Sequence, residues 1–286
     1  MASPPPITKP ISDLPLHFAL VLFPQFQALD VFGPLDALNT MKRLYPDIPL
    51  RLSILSSTLS PVSTSSSPSP SSSSSTNDNS NSPPPFEQKI LPTHTFTSPP
   101  THPIHILIIP GGIGTRSTLK STWSPVVDYL SHFFADDENV KCLKGVFTVC
   151  TGSIVLARVP IRNYKDGGEG EGEGGEGGKE LKGILEGIKA TTNKRILNLA
   201  KLEFPTVHWQ AQARWVQTTL PLPLSSTKSH HSIQLWTTSG VSAGIDGIFS
   251  LISDFYSPSI ADFITQVLEY ERTTDSTLDP FACCHI

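Results

Sequence analysis

The run Gly145-Val146-Phe147-Thr148-Val149 ends at Cys150, and Thr151-Gly152-Ser153-Ile154-Val155-Leu156-Ala157 follows with no loop between them. The first segment is short, β-branched and aromatic, which is the pattern of a buried strand. The second opens with small polar residues and continues with helix formers. A strand that passes straight into a helix needs a sharp corner, and the corner side chain is pushed out at the carboxyl edge of a sheet, as in the serine elbow of hydrolases. Two readings of Cys150 follow. The free N–H groups and positive dipole end of the helix would lower the thiol pKa and favour a nucleophilic thiolate. Alternatively, the residue is a buried structural cysteine.

The same strand–helix alternation runs through much of the chain. Strands are expected at Leu16–Leu22, Leu50–Leu55, Ile104–Ile109, Gly145–Val149, Arg214–Thr218 and Ile233–Thr238, with a turn and a short strand within Ile184–Thr191. Helices are expected at Leu29–Leu44, at Trp123–Phe134, at Lys194–Phe204, and finally at Ser242–Tyr256 and Ser259–Arg272. In the first of these Gly33-Pro34 interrupts the pattern, so the helix proper should start near Pro34. Alternation of this kind predicts an α/β fold with a mostly parallel sheet between two layers of helices. Ligands of such sheets sit beyond the carboxyl ends of the strands.

The apolar fraction, 38% of 286 residues, is low for a single large core, but the deficit is local. Residues 56–85 are dominated by Ser and Pro, residues 166–179 by Gly and Glu, and residues 220–231 by Pro, Ser and His. Such stretches bury too little apolar surface to offset their ordering entropy. They are expected as inserts on one domain spanning 15–275, with flexible tails at 1–14 and 276–286. A net charge of −4 gives no bulk basic character, so neither nucleic acid nor an anionic membrane is an expected partner. The longest apolar runs are too short to span a bilayer. The amino-terminal residues lack a secretory signal pattern. Four cysteines (Cys142, Cys150, Cys283, Cys284) have neither metal-site nor disulfide-framework spacing, which suits a reducing cytoplasm and predicts no metal. The terminal Cys-Cys-His-Ile matches a prenylation signal poorly and reads as a frayed tail.

Three further features bear on chemistry. Pro110-Gly111-Gly112-Ile113-Gly114 follows a strand, and the Gly111 and Gly112 amides could form an anion hole near a thiolate; a tight turn is the other reading. Asp30 lies in apolar company after the first strand. Partial desolvation would raise its pKa and let it exchange a proton near neutrality, or it could be a helix N-cap. Asp246 reads as a structural acid in the first turn of a helix. His208 is the one histidine in a segment that reads as ordered, and no histidine spacing suggests a metal. Phe32, Ile113 and Trp209 are candidates for lining a pocket or for the core.

Taken together, FPQFQALDVFGPLDAL at 23–38, ILIIPGGIGTR at 106–116, VFTVCTGSIVLA at 146–157, IKATTNKRIL at 188–197, ARWVQ at 213–217 and WTTSGVSAGIDGIFSLISDFY at 236–256 resemble the ThiJ/PfpI family, in family order. The resemblance implies a flavodoxin-like, class I glutamine amidotransferase-like three-layer fold. It is strongest toward the isonitrile hydratase branch and the related amidase-like domains of some transcription regulators. It implies Cys150 as nucleophile, Asp30 as the acid that gives a proton and then activates water, and Thr151 as a hydroxyl that holds the acid or the intermediate. Gly111 and Gly112 would be the anion-hole amides. No cofactor is implied, the partner is a small electrophile such as an isonitrile, and a homodimer is the expected assembly. Glyoxalase- or deglycase-like chemistry on an α-oxoaldehyde and a non-catalytic cysteine oxidation sensor are the alternatives. The chain departs from the family pattern at two places. Thr151 stands where the peptidase-like branch has a histidine, which disfavours a Cys-His dyad. Asn193 stands where relatives often carry another histidine. With fourteen residues after Arg272, no room is expected for a helix-turn-helix domain.

Overall fold

The computed structural model describes residues 3–65, 86–162, 181–227 and 229–283. The insert expected at 166–179 and most of the one at 56–85 therefore lie outside the described residues. In chain order the strands are β1 (His17–Val21), β2 (Arg51–Ser56), β3 (Val62–Ser63), β4 (Lys89–Ile90), β5 (His94–Thr95), β6 (Ile106–Ile109) and β7 (Gly145–Thr148). Then come β8 (Pro160–Arg162), β9 (Leu181–Gly183), β10 (Lys189–Ala190), β11 (His208–Trp209), β12 (Trp215–Leu224) and β13 (Ser229–Thr238). The helices are α1 (Ala28–Leu44), α2 (Ser124–Ala135), α3 (Asp137–Cys142), α4 (Gly152–Ala157), α5 (Leu197–Glu203), α6 (Ala243–Phe255) and α7 (Pro258–Val267).

One seven-stranded sheet carries the fold in the order β12-β13-β7-β6-β1-β2-β5. Every neighbouring pair is parallel except β12 with β13. The period-two alternation of the strands sorts their side chains between two cores. Ala19, Val21, Leu107, Ile109 and Val146 pack with α2, α3, α4 and α5 on one face. Phe18, Leu20, Ile106, Ile108 and Phe147 pack with α1, α6 and α7 on the other. The mostly parallel sheet with helices on both faces is the three-layer arrangement expected from the alternation. Burial on both faces also explains why β6 and β7 read as unbroken apolar runs.

Three expectations need correction. First, α1 starts at Ala28 rather than near Pro34, which lies inside the helix. Proline lacks an N–H and disfavours the preceding turn. The cost stays local here because the helix is anchored by Val31, Leu35, Leu38 and Met41 in the core. Second, 220–231 is not an insert. Residues 220–224 extend β12 and 229–231 extend β13. The sequence Leu220-Pro221-Leu222-Pro223-Leu224 alternates, with its three leucines buried and β12 at the sheet edge. Every second N–H of an edge strand faces away from the sheet, so proline at alternate positions is tolerated there. Third, the carboxyl-terminal residues up to 283 do not form a loose tail. The Arg214 N–H donates to the Ser276 carbonyl at 2.7 Å. Asp279 is buried, accepts from the Ser239 hydroxyl at 2.8 Å, and pairs with buried Lys194 at 3.3 Å. At the other end Leu14 is buried and Pro15 accepts a hydrogen bond from the Tyr256 hydroxyl.

The Lys194 ammonium also donates to Thr191 Oγ1 and to the Ala213 carbonyl, both at 2.7 Å. Burial depresses its pKa against the opposing pull of Asp279. Breaking a buried pair from one side leaves an uncompensated charge. Asp279→Ala is therefore expected to lower stability by about 3 kcal/mol in urea unfolding, whereas replacing the neighbouring exposed Leu278 by Ala should change it by less than about 0.5 kcal/mol.

Candidate active site

The sheet order brings β1, β6 and β7 side by side, so the segments leaving their carboxyl ends converge. These segments carry Asp30, Gly111-Gly112 and Cys150. Cys150 has φ +55°, a left-handed conformation that costs a non-glycine residue about 1 kcal/mol. Its carbonyl accepts from Thr192 Oγ1 at 3.0 Å and from Ser153 Oγ at 3.2 Å, which holds the strained corner in place. The sulfur accepts a hydrogen bond from Asn193 Nδ2 at 3.2 Å. Asn193 Oδ1 in turn accepts from the Arg195 N–H at 3.0 Å, and that bond fixes which way the amide faces.

Asp30 is fully buried in the first turn of α1, and Gln27 rather than Asp30 stands at the N-cap position, without a side-chain capping bond. Its Oδ2 accepts from the Gly111 N–H at 2.9 Å, while Oδ1 has no hydrogen-bond partner. Thr151 Oγ1 accepts from the Gly112 N–H at 2.9 Å and lies 3.2 Å from the Gly112 carbonyl. The expected roles of these residues change accordingly. Gly111 and Gly112 amides are already engaged by Asp30 and Thr151, so neither is a free anion-hole donor. Thr151 ties the glycine loop to the corner and does not bond the acid. Glycine is required at 111 because a Cβ there would lie 2.5 Å from the Thr151 nitrogen and 2.9 Å from Asp30 Oδ2. At 112 a φ of +146° and a Gln25 carbonyl 2.3 Å from any Cβ impose the same choice.

Cys150 opens onto a cavity of about 520 Å³ lined by Gln27, Gly112, Ile113, Thr151, Asn193 and Val241, among others. Of the three pocket candidates only Ile113 lines it. Phe32 lines a separate surface groove over α1 and α6, and Trp209 is a core residue whose indole donates to the Phe204 carbonyl. His208 is on the surface. Asp246 is structural as expected, bonded by Arg214 Nε at 2.5 Å, the Tyr270 hydroxyl at 2.9 Å and the Thr273 N–H at 2.9 Å. Among the described residues no His, Cys, Asp and Glu cluster could hold a metal ion, and no helix is long and apolar enough to cross a membrane.

No family model matches the chain. An isonitrile hydratase from Pseudomonas putida is 24% identical over 255 residues, covering 89% of this chain and 78% of that protein. A ThiJ/PfpI family protein from Pseudomonas syringae aligns with a TM-score of 0.54 at 19% identity, over 94% of this chain and 82% of the other. DJ-1beta from Drosophila melanogaster aligns with a TM-score of 0.54 at 10% identity, over 90% of this chain and all of the other. The structural likenesses show the fold. The sequence match agrees with the resemblance to the ThiJ/PfpI family drawn from the motifs.

At this site the electrostatics differ from the sequence expectation at one point. The surroundings favour the neutral thiol over the thiolate. Burial, and then the Asp30 charge, push the Cys150 pKa up to about 12, against the lowering effect of Asn193 and Thr151. Helix α4 has six residues and too little dipole to outweigh removal of the sulfur from water. Asp30 shifts as expected. Burial raises its pKa to about 7, with the Gly111 N–H and the Cys150 thiol pulling it back. Asn193 is the site residue the sequence did not assign. It was visible there as a departure from a family pattern, but its contact with sulfur depends on the segment after β10 lying beside the elbow, where Thr192 bonds the Cys150 carbonyl.

The raised pKa of Asp30 has a consequence for stability. A folded pKa above the unfolded value favours the fold at low pH, and that contribution is lost as pH rises through about 7. Asp30→Asn keeps an oxygen for the Gly111 N–H and removes the buried charge. It is expected to raise the melting temperature at pH 8 and to do so far less at pH 4, as read by calorimetry.

Proposed function

We propose that this protein is a cofactor-free cysteine hydratase acting on a small carbon electrophile, with an isonitrile hydrated to an N-substituted formamide as the leading reaction. The observation that carries the reading is the Cys150 thiol lining an open cleft, with the buried Asp30 carboxyl, its pKa raised to about 7, paired with it from behind. The sequence likeness to an isonitrile hydratase points the same way.

The chemistry balances with these two side chains and water. Ionised Asp30 accepts the thiol proton as the sulfur attacks the terminal isonitrile carbon, so a resting thiolate is not required. Protonated Asp30 then delivers that proton to the same carbon, giving a thioimidate, R–N=CH–S–Cys150. Asp30, a carboxylate again, takes a proton from water as the water oxygen bonds to the thioimidate carbon. That proton passes to nitrogen. Collapse of the tetrahedral adduct breaks the C–S bond, releases R–NH–CHO and returns the proton to sulfur. Asn193 Nδ2 and the Thr151 N–H face the sulfur and stabilise the charge it carries on departure.

A peroxide-sensing cysteine is a poorer match. Sensor thiols are exposed and of low pKa, whereas Cys150 is 5% exposed with a pKa pushed up.

Isonitrile turnover followed by formamide appearance is the decisive assay. Cys150→Ala should abolish it, and Asp30→Asn should reduce kcat by about 10³-fold. For the wild type, kcat/KM should climb with pH up to about 7 and then level off, because the ionised form of Asp30 is the one that accepts the proton. Turnover that survives Cys150→Ala would reject the nucleophile, and consumption of methylglyoxal without isonitrile would move the reaction to α-oxoaldehydes.

A further inference from the structure

The cleft above Cys150 has a charge pattern that the hydration chemistry leaves unexplained. Arg116 and Arg195 both line it, and no aspartate or glutamate does. They arrive from different parts of the chain. Arg116 closes the 3-10 turn Ile113–Arg116 that follows the glycine loop, and Arg195 sits in the 3-10 turn Lys194–Ile196 that follows Asn193. Both side chains are exposed, and among the described residues neither guanidinium makes a hydrogen bond or an ion pair. Arg158, Arg214 and Arg272 are by contrast each matched with a carboxylate at 2.9 Å or less.

We propose that Arg116 and Arg195 form an anion clamp at the mouth of this cleft, so that the substrate is a small electrophile carrying a carboxylate. This rests on reading Cys150 as the nucleophile of a hydratase. A guanidinium stays charged at any physiological pH and presents a planar fork of donors matched to carboxylate oxygens. Two such groups with no internal counter-ion raise the local concentration of anions and fix their orientation. The remaining wall supplies Ile113, Ile196 and Val241, which give a short apolar stem somewhere to lie. A cavity of about 520 Å³ holds a molecule of a few carbons beyond the reacting group, with the carboxylate held at the rim and the electrophilic carbon over the sulfur. Both arginines are on the surface, so their replacement should spare the fold.

The test compares two isonitriles of similar size, the isocyanoacetate anion and neutral ethyl isocyanide. Wild-type kcat/KM should favour the anion by about tenfold or more, and Arg116→Gln and Arg195→Gln should each cut that ratio several-fold, with the double variant near unity. Calorimetry supplies a readout that needs no turnover. N-formylglycine should bind at least about tenfold more tightly than N-formylglycinamide, and the difference should vanish in the double variant. A wild-type ratio near one, a ratio unchanged in both variants, or equal binding of the two formyl compounds overturns the clamp. Selective binding of N-formylglycine through the arginines, with neither isonitrile consumed, rejects the hydration chemistry and leaves the clamp standing.

Discussion

A thiol and a carboxyl group share one desolvated corner of this protein, and much of the surrounding structure serves to keep them there. Taken out of water, each group resists ionisation; the Asp30 charge pushes the thiol up further, while the thiol pulls the acid part of the way back. The outcome is a sulfur with its pKa pushed up to about 12 beside an acid brought to about 7. A pair of this kind disfavours a standing thiolate. The arrangement costs stability in three ways: a positive φ at Cys150, a buried charge at Asp30 above neutrality, and an Asp30 oxygen with no partner. Local rules broken together at a cleft floor are the pattern expected of a site rather than of a core.

The corner is held by the hydroxyls of its neighbours. Two threonines and one serine fix backbone carbonyls or loop amides around it: Thr151 on Gly112, Thr192 and Ser153 on Cys150. Behind Asn193, the chain is locked by Lys194, whose ammonium satisfies Thr191, Ala213 and Asp279 at once. The carboxyl-terminal segment thereby reaches the residue before which the sulfur's donor sits. Rigidity of this kind matters because a donor displaced by an ångström no longer meets the sulfur.

Legibility in the sequence followed how local each signal was. β6 and β7 could be read because a strand buried on both faces must be continuously apolar. The Cys150 corner could be read because a strand passing directly into small residues and then a helix leaves few alternatives. The inner halves of β12 and β13 could be read, but the outer end of their hairpin was hidden because Leu220-Pro221-Leu222-Pro223-Leu224 has the composition of a loop and the period of a strand, and only its place at the sheet edge makes the prolines acceptable. Helix α1 was started too late because Pro34 is a strong local breaker that a well-packed helix overrode. Asp279 sat in a stretch that looked frayed, since nothing near it in sequence announces a buried lysine 85 positions earlier.

The sequence by itself determined the alternation of strands and helices, the sharp turn at Cys150, the glycines that allow backbones to touch, and the candidacy of Asp30. These depend on side-chain period and backbone sterics, which act over a few residues. Tertiary structure decided the rest. It chose a neutral thiol over a thiolate, gave the glycine amides to Asp30 and Thr151, aimed Asn193 at the sulfur, and brought Arg116 and Arg195 to one rim. Desolvation, hydrogen-bond pairing and charge are set by what surrounds a group in space, and in a parallel sheet those surroundings come from segments far apart along the chain.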